Sequence, residues 1–464
     1  MSDSTSSLPP VGISGFTTYF PQQRIDLKDW SAWSGANWDK IQAVVGSSFR
    51  VADPLEDVYS MSAEAAFRLL KQLDVSPSAV GTLILATESS LDNAVGASTL
   101  KGLLDRRLKQ EGLPSLDSNC ETYELKQACL AGVYGLKQAL RWAMLAPADR
   151  YAIVVSADIA EYELGSSGEP TQGAGAVAML VGQHPTLLEI DPRFSGSASV
   201  DRETDFRKPL SHQSEGRKSG TRRSDFPVFD GPYSTKCYLE TVCDAFAHLV
   251  TSTPTSGARL ESPLDCERLF FHRPYRQLPE RAASTLVAQA LEGSMSERER
   301  LRWLDTLDHQ PPVLPEDRYE LGRKIHKSTL YQDDLAPKLE LGKELTSHFG
   351  NLYTASLPAW IAAAFAEAET NNVPLTGERW LLVGYGSGDA AEALVATVVP
   401  GWEKAASAIG LEVSMADSVA LSQEGYIAIH RDGESNTSSK LSIKRTERRD
   451  SEGKLSTIPA YDIR

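Results

Sequence analysis

The chain has 464 residues and a formal net charge of −15, from 62 acidic side chains against 47 Lys and Arg. No long run of one sign interrupts it, which excludes a nucleic-acid surface built on clustered cations. Met1 to Pro10 lacks a basic start followed by an apolar core, and no window approaches the roughly 18 apolar residues of a membrane span, so a cytoplasmic protein is expected.

Length alone allows two or three domains, or one large α/β body. Cys120, Cys129, Cys237, Cys243 and Cys266 are odd in number and have no CxxC spacing. They predict neither a disulfide framework nor a zinc site.

Val11 to Phe20 reads as a strand, and Tyr59 to Leu73 as a helix with Met61, Ala65, Phe67, Leu69 and Leu70 on one side. The apolar run Thr82 to Thr87 predicts a buried strand ending at Glu88. A helix follows from Val95 to Gln110, then a helix from Cys129 to Leu145, a strand from Tyr151 to Ser156, and a Gly-started strand from Gly173 to Val181. This alternation predicts an α/β fold with a mostly parallel sheet.

The second half replays the order: helix Lys236 to Thr251, strand Arg268 to Phe271 ending at His272, helix Glu280 to Leu291, helix Thr354 to Ala366, strand Arg379 to Gly384. That pairs Glu88 with His272, and Cys129 with the Asn351 region. We divide the chain into halves at 1–184 and 185–464. The polar stretch Ser211 to Ser224 reads as an exposed loop, and the charged, Pro-bearing Ser296 to Leu341 as an insertion with surface helices. In the tail from Arg431 to Arg464, Lys440 to Lys444 alternates like an edge strand.

Cys129 opens its predicted helix among small residues. Free N–H groups and the partial positive charge of a helix N-terminus lower a thiol's pKa, so an activated nucleophile is expected there. Taken alone, a buried cysteine is far more often inert than catalytic. A lone histidine at a strand end is usually just hydrogen-bonded. Gly384-Tyr-Gly-Ser-Gly388 by itself is only a turn whose glycines permit close backbone approach.

In order, Ala86-Thr-Glu-Ser89, Glu124 to Gly132, Ser156-Ala-Asp158, Gly168 to Ala176, Asp205-Phe-Arg-Lys-Pro209, Phe229 to Tyr238, Phe271-His-Arg-Pro-Tyr275, Gly350 to Ser356 and Gly384 to Gly388 resemble the 3-hydroxy-3-methylglutaryl-CoA synthases of the thiolase superfamily. The resemblance runs from about Val11 to about Val398. It comes nearest to the bacterial mevalonate-pathway enzymes.

The resemblance implies the five-layered αβαβα thiolase fold of two pseudo-symmetric halves, and condensation of acetyl-CoA with acetoacetyl-CoA to 3-hydroxy-3-methylglutaryl-CoA and CoA. Cys129 would carry the acetyl group, Glu88 would be the base, and His272 would orient and polarise the acceptor. The N–H groups of Cys129 and Ser387, with Gly386 between strand and turn, would form the oxyanion cradle. Pro274 and Tyr275 would shape the pantetheine entry. Asp158, Asp205, Thr171, Asn351, Tyr353 and Ser356 match pocket positions, although Asp158 and Asp205 also read as loop-capping carboxylates. No metal or redox cofactor is implied, and a homodimer is.

Two positions depart from the family pattern. Leu130 replaces a tyrosine, which puts a wall of the acyl pocket in question. Gln277 replaces a lysine near the CoA phosphates, leaving Arg276 or Arg273 to supply the charge. These departures keep two other readings open. One is a synthase that takes acyl groups from an acyl carrier protein for polyketide β-branching, with the Arg217 to Arg223 loop as its docking patch. The other is a non-catalytic scaffold of the same fold.

Overall fold

The structure is a computed structural model that describes residues 8–92, 94–208, 226–252, 260–307, 315–433, 441, 443–446 and 460–463. The expected loop Ser211 to Ser224, with its basic run, lies outside the described residues.

The strands are β1 (Val11–Tyr19), β2 (Gln23–Asp26), β3 (Ser48–Val51), β4 (Val80–Ala86), β5 (Glu121–Leu125), β6 (Tyr151–Ala160), β7 (Gly173–Gln183), β8 (Leu188–Ser199), β9 (Arg268–Phe271), β10 (Arg379–Gly386), β11 (Ala390–Val398), β12 (Val419–Ala420), β13 (Ile443–Thr446) and β14 (Ala460–Ile463). Nine of them form one sheet in the order β5-β4-β6-β7-β1-β8-β11-β10-β9. β4 runs parallel to β5 and β6, while β7 is antiparallel to both β6 and β1. On the other side β9 is parallel to β10, and β11 is antiparallel to β10 and β8. The order β4-β6-β7-β1 is thus repeated as β9-β10-β11-β8, which is the pairing of Glu88 with His272 expected from element order.

β1 and β8 meet only at Gly12↔Glu189 and Ile13↔Leu188, so the sheet is hinged there. Helices Ala131–Ala143 and Ser356–Thr370 lie inside the fold, each touching strands of both halves. Side-chain alternation separates the layers. Ile84 of β4 packs with Val133 and Leu136 of the inner helix, whereas Leu83 and Leu85 pack with Met61 and Phe67 of the outer helix Val58–Gln72. Helix Gly231–Ser252 covers the outer face of β8 and β11. The result is αβαβα layering.

Local chemistry explains the main elements. β4 is buried along its whole length, as a central parallel strand must be. Helix Val58–Gln72 starts where the Asp57 carboxylate accepts from the N–H groups of Tyr59 and Ser60 and the Ser60 hydroxyl accepts from Asp57 N–H, a capping box. Helix Ser356–Thr370 is apolar nearly all round, which suits an element packed on every side.

One expectation holds and another moves. Within the charged insertion, helices Glu297–Leu307 and Pro315–His326 form as expected surface helices, each burying one apolar edge, Trp303 and Leu304 in the first and Leu321 and Ile325 in the second, in the main core. The tail strand begins at Ile443 and pairs with Ala460–Ile463.

Candidate active site

Glu88 lies just past the end of β4, and the neighbouring strand β6 holds it there through Asp158. One oxygen of this fully buried carboxylate, Oδ1, accepts from Glu88 N–H at 2.8 Å, Ser89 N–H at 3.0 Å, Ser89 Oγ at 2.8 Å and Thr87 Oγ1 at 3.0 Å. Oδ2 takes Thr354 N–H at 3.0 Å and Thr354 Oγ1 at 2.5 Å, from the start of the second inner helix. Burial, then the Glu88 charge, pushes Asp158 up to about 6. Asp158 therefore ties the two halves together behind the base; it is the loop-capping reading of this residue that the contacts match.

The Glu88 side chain is 6 % exposed; Oε1 pairs with Lys208 Nζ and Oε2 is buried with no hydrogen bond of good geometry. Cys129 sits beside it, two residues before the helix, which begins at Ala131. The preceding Ala128 has φ 44°, a left-handed kink that few non-glycine residues adopt. The expected lowering of the thiol by the helix terminus does not occur. Burial and then the Glu88 carboxylate push Cys129 well above the ordinary thiol range, with Lys208 pulling it back. Cys129 therefore rests as a thiol.

Around the sulfur stand Ala160, Tyr162 and Tyr353, with Phe206 and Phe229 packed over them. Tyr353 is itself at φ 46°, and its N–H donates to Asn351 Oδ1 at 3.0 Å. Asn351 N–H in turn donates to Thr171 O at 3.2 Å, and Thr171 Oγ1 to Gly168 O at 2.7 Å. Asn351 and Thr171 thus lock the backbone that carries Tyr353.

His272 caps β9, 2 % exposed. Its carbonyl accepts from Tyr238 Oη at 2.9 Å, and its ring lies over Tyr385 with centroids 6.4 Å apart. Burial depresses its pKa to about 3, so the imidazole is neutral. Ser356 Oγ bridges the next residue, accepting from Arg273 N–H at 3.2 Å and donating to Arg273 O at 3.0 Å.

β10 brings the glycine turn to the cysteine. A Cβ on Gly386 would lie 2.5 Å from Gln127 O and 2.9 Å from Leu130 N, so only glycine lets the strand end press on the backbone around Cys129. That contact sets the Ser387 turn next to the nucleophile. Behind it, Tyr385 Oη donates to Asp389 Oδ1 at 2.8 Å and lies 3.3 Å from Asp205 Oδ2, while Ser234 Oγ donates to Asp205 Oδ1 at 2.5 Å. Arg202 Nε is 3.2 Å from Asp389 Oδ2. Burial, then the Asp205 carboxyl, pushes Asp389 up to about 6. Asp389 and Lys208 were not singled out from the sequence, since an acid after Gly388 and a lysine before Pro209 show no chemistry until the fold pairs them.

The fold thus gathers a carboxylate, a thiol and a neutral imidazole from strand ends on both sides of the sheet. Two family models match, described as the N-terminal part of hydroxymethylglutaryl-coenzyme A synthase over residues 9–186 and the C-terminal part over residues 205–448. The chain belongs to the hydroxymethylglutaryl-CoA synthase family. A relative named hydroxymethylglutaryl-CoA synthase from Haloferax volcanii is 30% identical over 436 residues, covering 90% of this chain and 91% of its own length. A solved structure titled MvaS in complex with 3-hydroxy-3-methylglutaryl coenzyme A has a TM-score of 0.79 at 29% identity, over 98% of this chain and 99% of that one. The curacin-pathway HMG synthase, solved with holo donor-ACP, shares the fold at 22% identity, with a TM-score of 0.67 over 91% and 89% of the two chains. The protein is thus an acyl-transferring enzyme of the mevalonate-pathway type with a thiolase-like fold.

Within this synthase both departures find a physical setting. Leu130 is fully buried in the core cluster, and a Cβ on Gly384 would come within 2.7 Å of its Cδ1. Both arginines near Gln277 have partners within the chain. Arg273 is 4 % exposed and donates to Thr346 O at 2.9 Å, and Arg276 pairs with Glu344 at 3.2 Å. A cleft of about 430 Å³ opens beside Gln277, lined by Lys236, Arg281, Arg323 and Lys327. Thr235 on its edge is 3.4 Å from Tyr275 Oη, which connects the cleft to the His272 segment. No helix among the described residues is long and apolar enough to cross a membrane.

Proposed function

We propose that the enzyme condenses acetyl-CoA with acetoacetyl-CoA through an acetyl group held on Cys129, as a cytoplasmic homodimer whose chains each fold as two halves, 1–184 and 185–464. The observation that carries this reading is the Glu88 carboxylate facing the Cys129 sulfur in a closed aromatic pocket. A decarboxylating relative would need no such base.

The Cys129 thiol gives up its proton as sulfur attacks the acetyl thioester, and CoA leaves as the thiol. Glu88 then takes a proton from the acetyl methyl group. The resulting carbanion adds to the ketone carbon of acetoacetyl-CoA, and the new alkoxide takes back the proton. Water finally cleaves the thioester to Cys129.

Oxyanion donors contribute about 3 kcal/mol or more each to such steps, and the close packing of Gly386 on the backbone around Cys129 supports the N–H groups of Cys129 and Ser387 in that role. His272, held neutral by burial, is suited to donate a hydrogen bond to the acceptor ketone without protonating it. The cationic cleft beside Gln277 supports a nucleotide-bearing carrier, with Pro274 and Tyr275 at the pantetheine entry and Arg276 engaged elsewhere.

Intact-protein mass spectrometry with acetyl-CoA, then acetoacetyl-CoA, tests the reading. Wild type should gain one acetyl group, Cys129→Ser none, and Glu88→Ala an acetyl group that is never turned into the six-carbon product. An adduct formed only from an acetyl carrier protein would transfer the reaction to polyketide branching. No adduct from either donor would leave a scaffold.

A further inference from the structure

We propose that Lys208 is a positioning residue of the condensation: its ammonium, held between the Glu88 carboxylate and the face of Tyr353, fixes the base against Cys129 and supplies the positive charge the sulfur needs when it leaves the thiol form. The inference rests on the reading of Glu88 and Cys129 just given.

Lys208 Nζ bonds Glu88 Oε1 and lies 4.2 Å from the centroid of the Tyr353 ring and 5.8 Å from that of Phe206. An ammonium over an aromatic face is attracted by the ring quadrupole, so the lysine is held from two directions. The groups that bear on Cys129 are otherwise acidic: Glu88 past β4, Asp158 on β6, and the phenols of Tyr162 and Tyr353. Among the described residues whose charge acts on the sulfur, Lys208 is the cation.

Neighbouring bases do not substitute for it. His272 is kept neutral by burial, and Arg207 is tied to Arg202 O. Without Lys208, a thiolate at Cys129 would stand beside the Glu88 carboxylate in an aromatic pocket, where like charges repel strongly.

Geometry also separates its task from that of the base. By taking Oε1, Lys208 leaves Oε2 of Glu88 as the buried, uncommitted oxygen that can receive a proton. The lysine side chain is 22 % exposed against 6 % for the glutamate, so the cation stands on the solvent side of the base.

The experiment is the pH dependence of Cys129 alkylation by iodoacetamide, followed by peptide mapping, in wild type, Lys208→Met and Lys208→Arg, with thermal unfolding to confirm the fold of each. Lys208→Met should raise the alkylation midpoint by about one pH unit or more, as expected for losing a cation in contact range. Its condensation kcat should fall at least about tenfold with a smaller change in the KM for acetyl-CoA. Lys208→Arg should restore most of both. A Lys208→Met profile that superimposes on wild type, or a Lys208→Arg profile displaced as far as the Met variant, overturns the proposal. Alkylation needs no thioester, so a wild type that makes no product would sink the assigned reaction while the alkylation profiles still judged Lys208.

Discussion

β4 and β9 occupy matching places in the two halves of the sheet, yet one delivers a carboxylate and the other an uncharged ring. Glu88 emerges among charge partners, with Lys208 on its carboxylate oxygen and Asp158 on its backbone. His272 emerges among Tyr238, Tyr385 and the buried β10 turn, and among the described residues burial alone shifts it. The repeated strand order therefore supplies two anchor points in matching places, and the surroundings of each fit the roles proposed for them, proton transfer at Glu88 and polarisation at His272. The contrast teaches that the strand order sets where the groups stand, while the loops after the strands set what they can do.

Exchanging the character of the two anchors should have the largest effect. Glu88→Gln keeps the shape and the backbone bonds but cannot accept a proton, so condensation should fall by roughly 10²- to 10⁴-fold in single-turnover assays while Cys129 still acetylates. Acetylation lost to the same degree would show that Glu88 also serves the first step, and the division of labour would fail.

His272→Gln should cost less, on the order of 10²-fold in kcat, because it removes one polarising donor and no proton acceptor. Since burial holds the His272 pKa near 3, the wild-type rate should show no His272 limb between pH 5 and 7. The stability sign follows from the same depression. The neutral ring's contribution is fully present above the unfolded value of about 6.5 and is lost as pH falls toward 3. Urea midpoints should accordingly show the stability of wild type relative to His272→Gln shrinking from pH 7 to pH 5.

A smaller effect probes the seam between the anchors. Leu130→Tyr forces a ring against Gly384 and Gly386 and should destabilise the fold by about 1–3 kcal/mol, read from urea unfolding. Gain of activity without loss of stability would return residue 130 to the acyl pocket.

The smallest concerns Asp389. Its carboxyl is raised to about 6 from an unfolded value of about 3.9, so its contribution to stability is complete below the lower value and lost as pH rises through the higher. Asp389→Asn, which stays neutral, should therefore compare more favourably with wild type at pH 8 than at pH 5 in melting temperature. The reverse order would mean that the Arg202 contact, not burial beside Asp205, governs this acid.

Legibility in the sequence followed burial. β4, β6, β9 and β10 are largely apolar runs and could be read directly, as could the residues that follow β4 and β9, Glu88 and His272. β5 (Glu-Thr-Tyr-Glu-Leu), β8 with its Asp, Pro, Arg and Ser, and Ala-rich β11 around Glu392 give no comparable signal; partner strands make them strands. The helix at Cys129 was read two residues early, because the kink at Ala128 is a backbone property with no compositional mark. The thiol's acidity was misjudged with it, since the acid beside the sulfur comes from another strand. Asp158, Asn351, Thr171 and Ser356 were found as members of a set, but their tying and locking roles depend on hydrogen bonds across the two halves.

The Gly386 contact has a consequence in time. The cradle around Cys129 is closed by a strand made long after the cysteine itself, so during synthesis the sulfur is a bystander until β10 has docked. A chain arrested before Arg379 is expected to take no acetyl group from a thioester that acetylates the complete protein, and the cell's acyl thioesters would meet this reactive centre only after the last strands have sealed it.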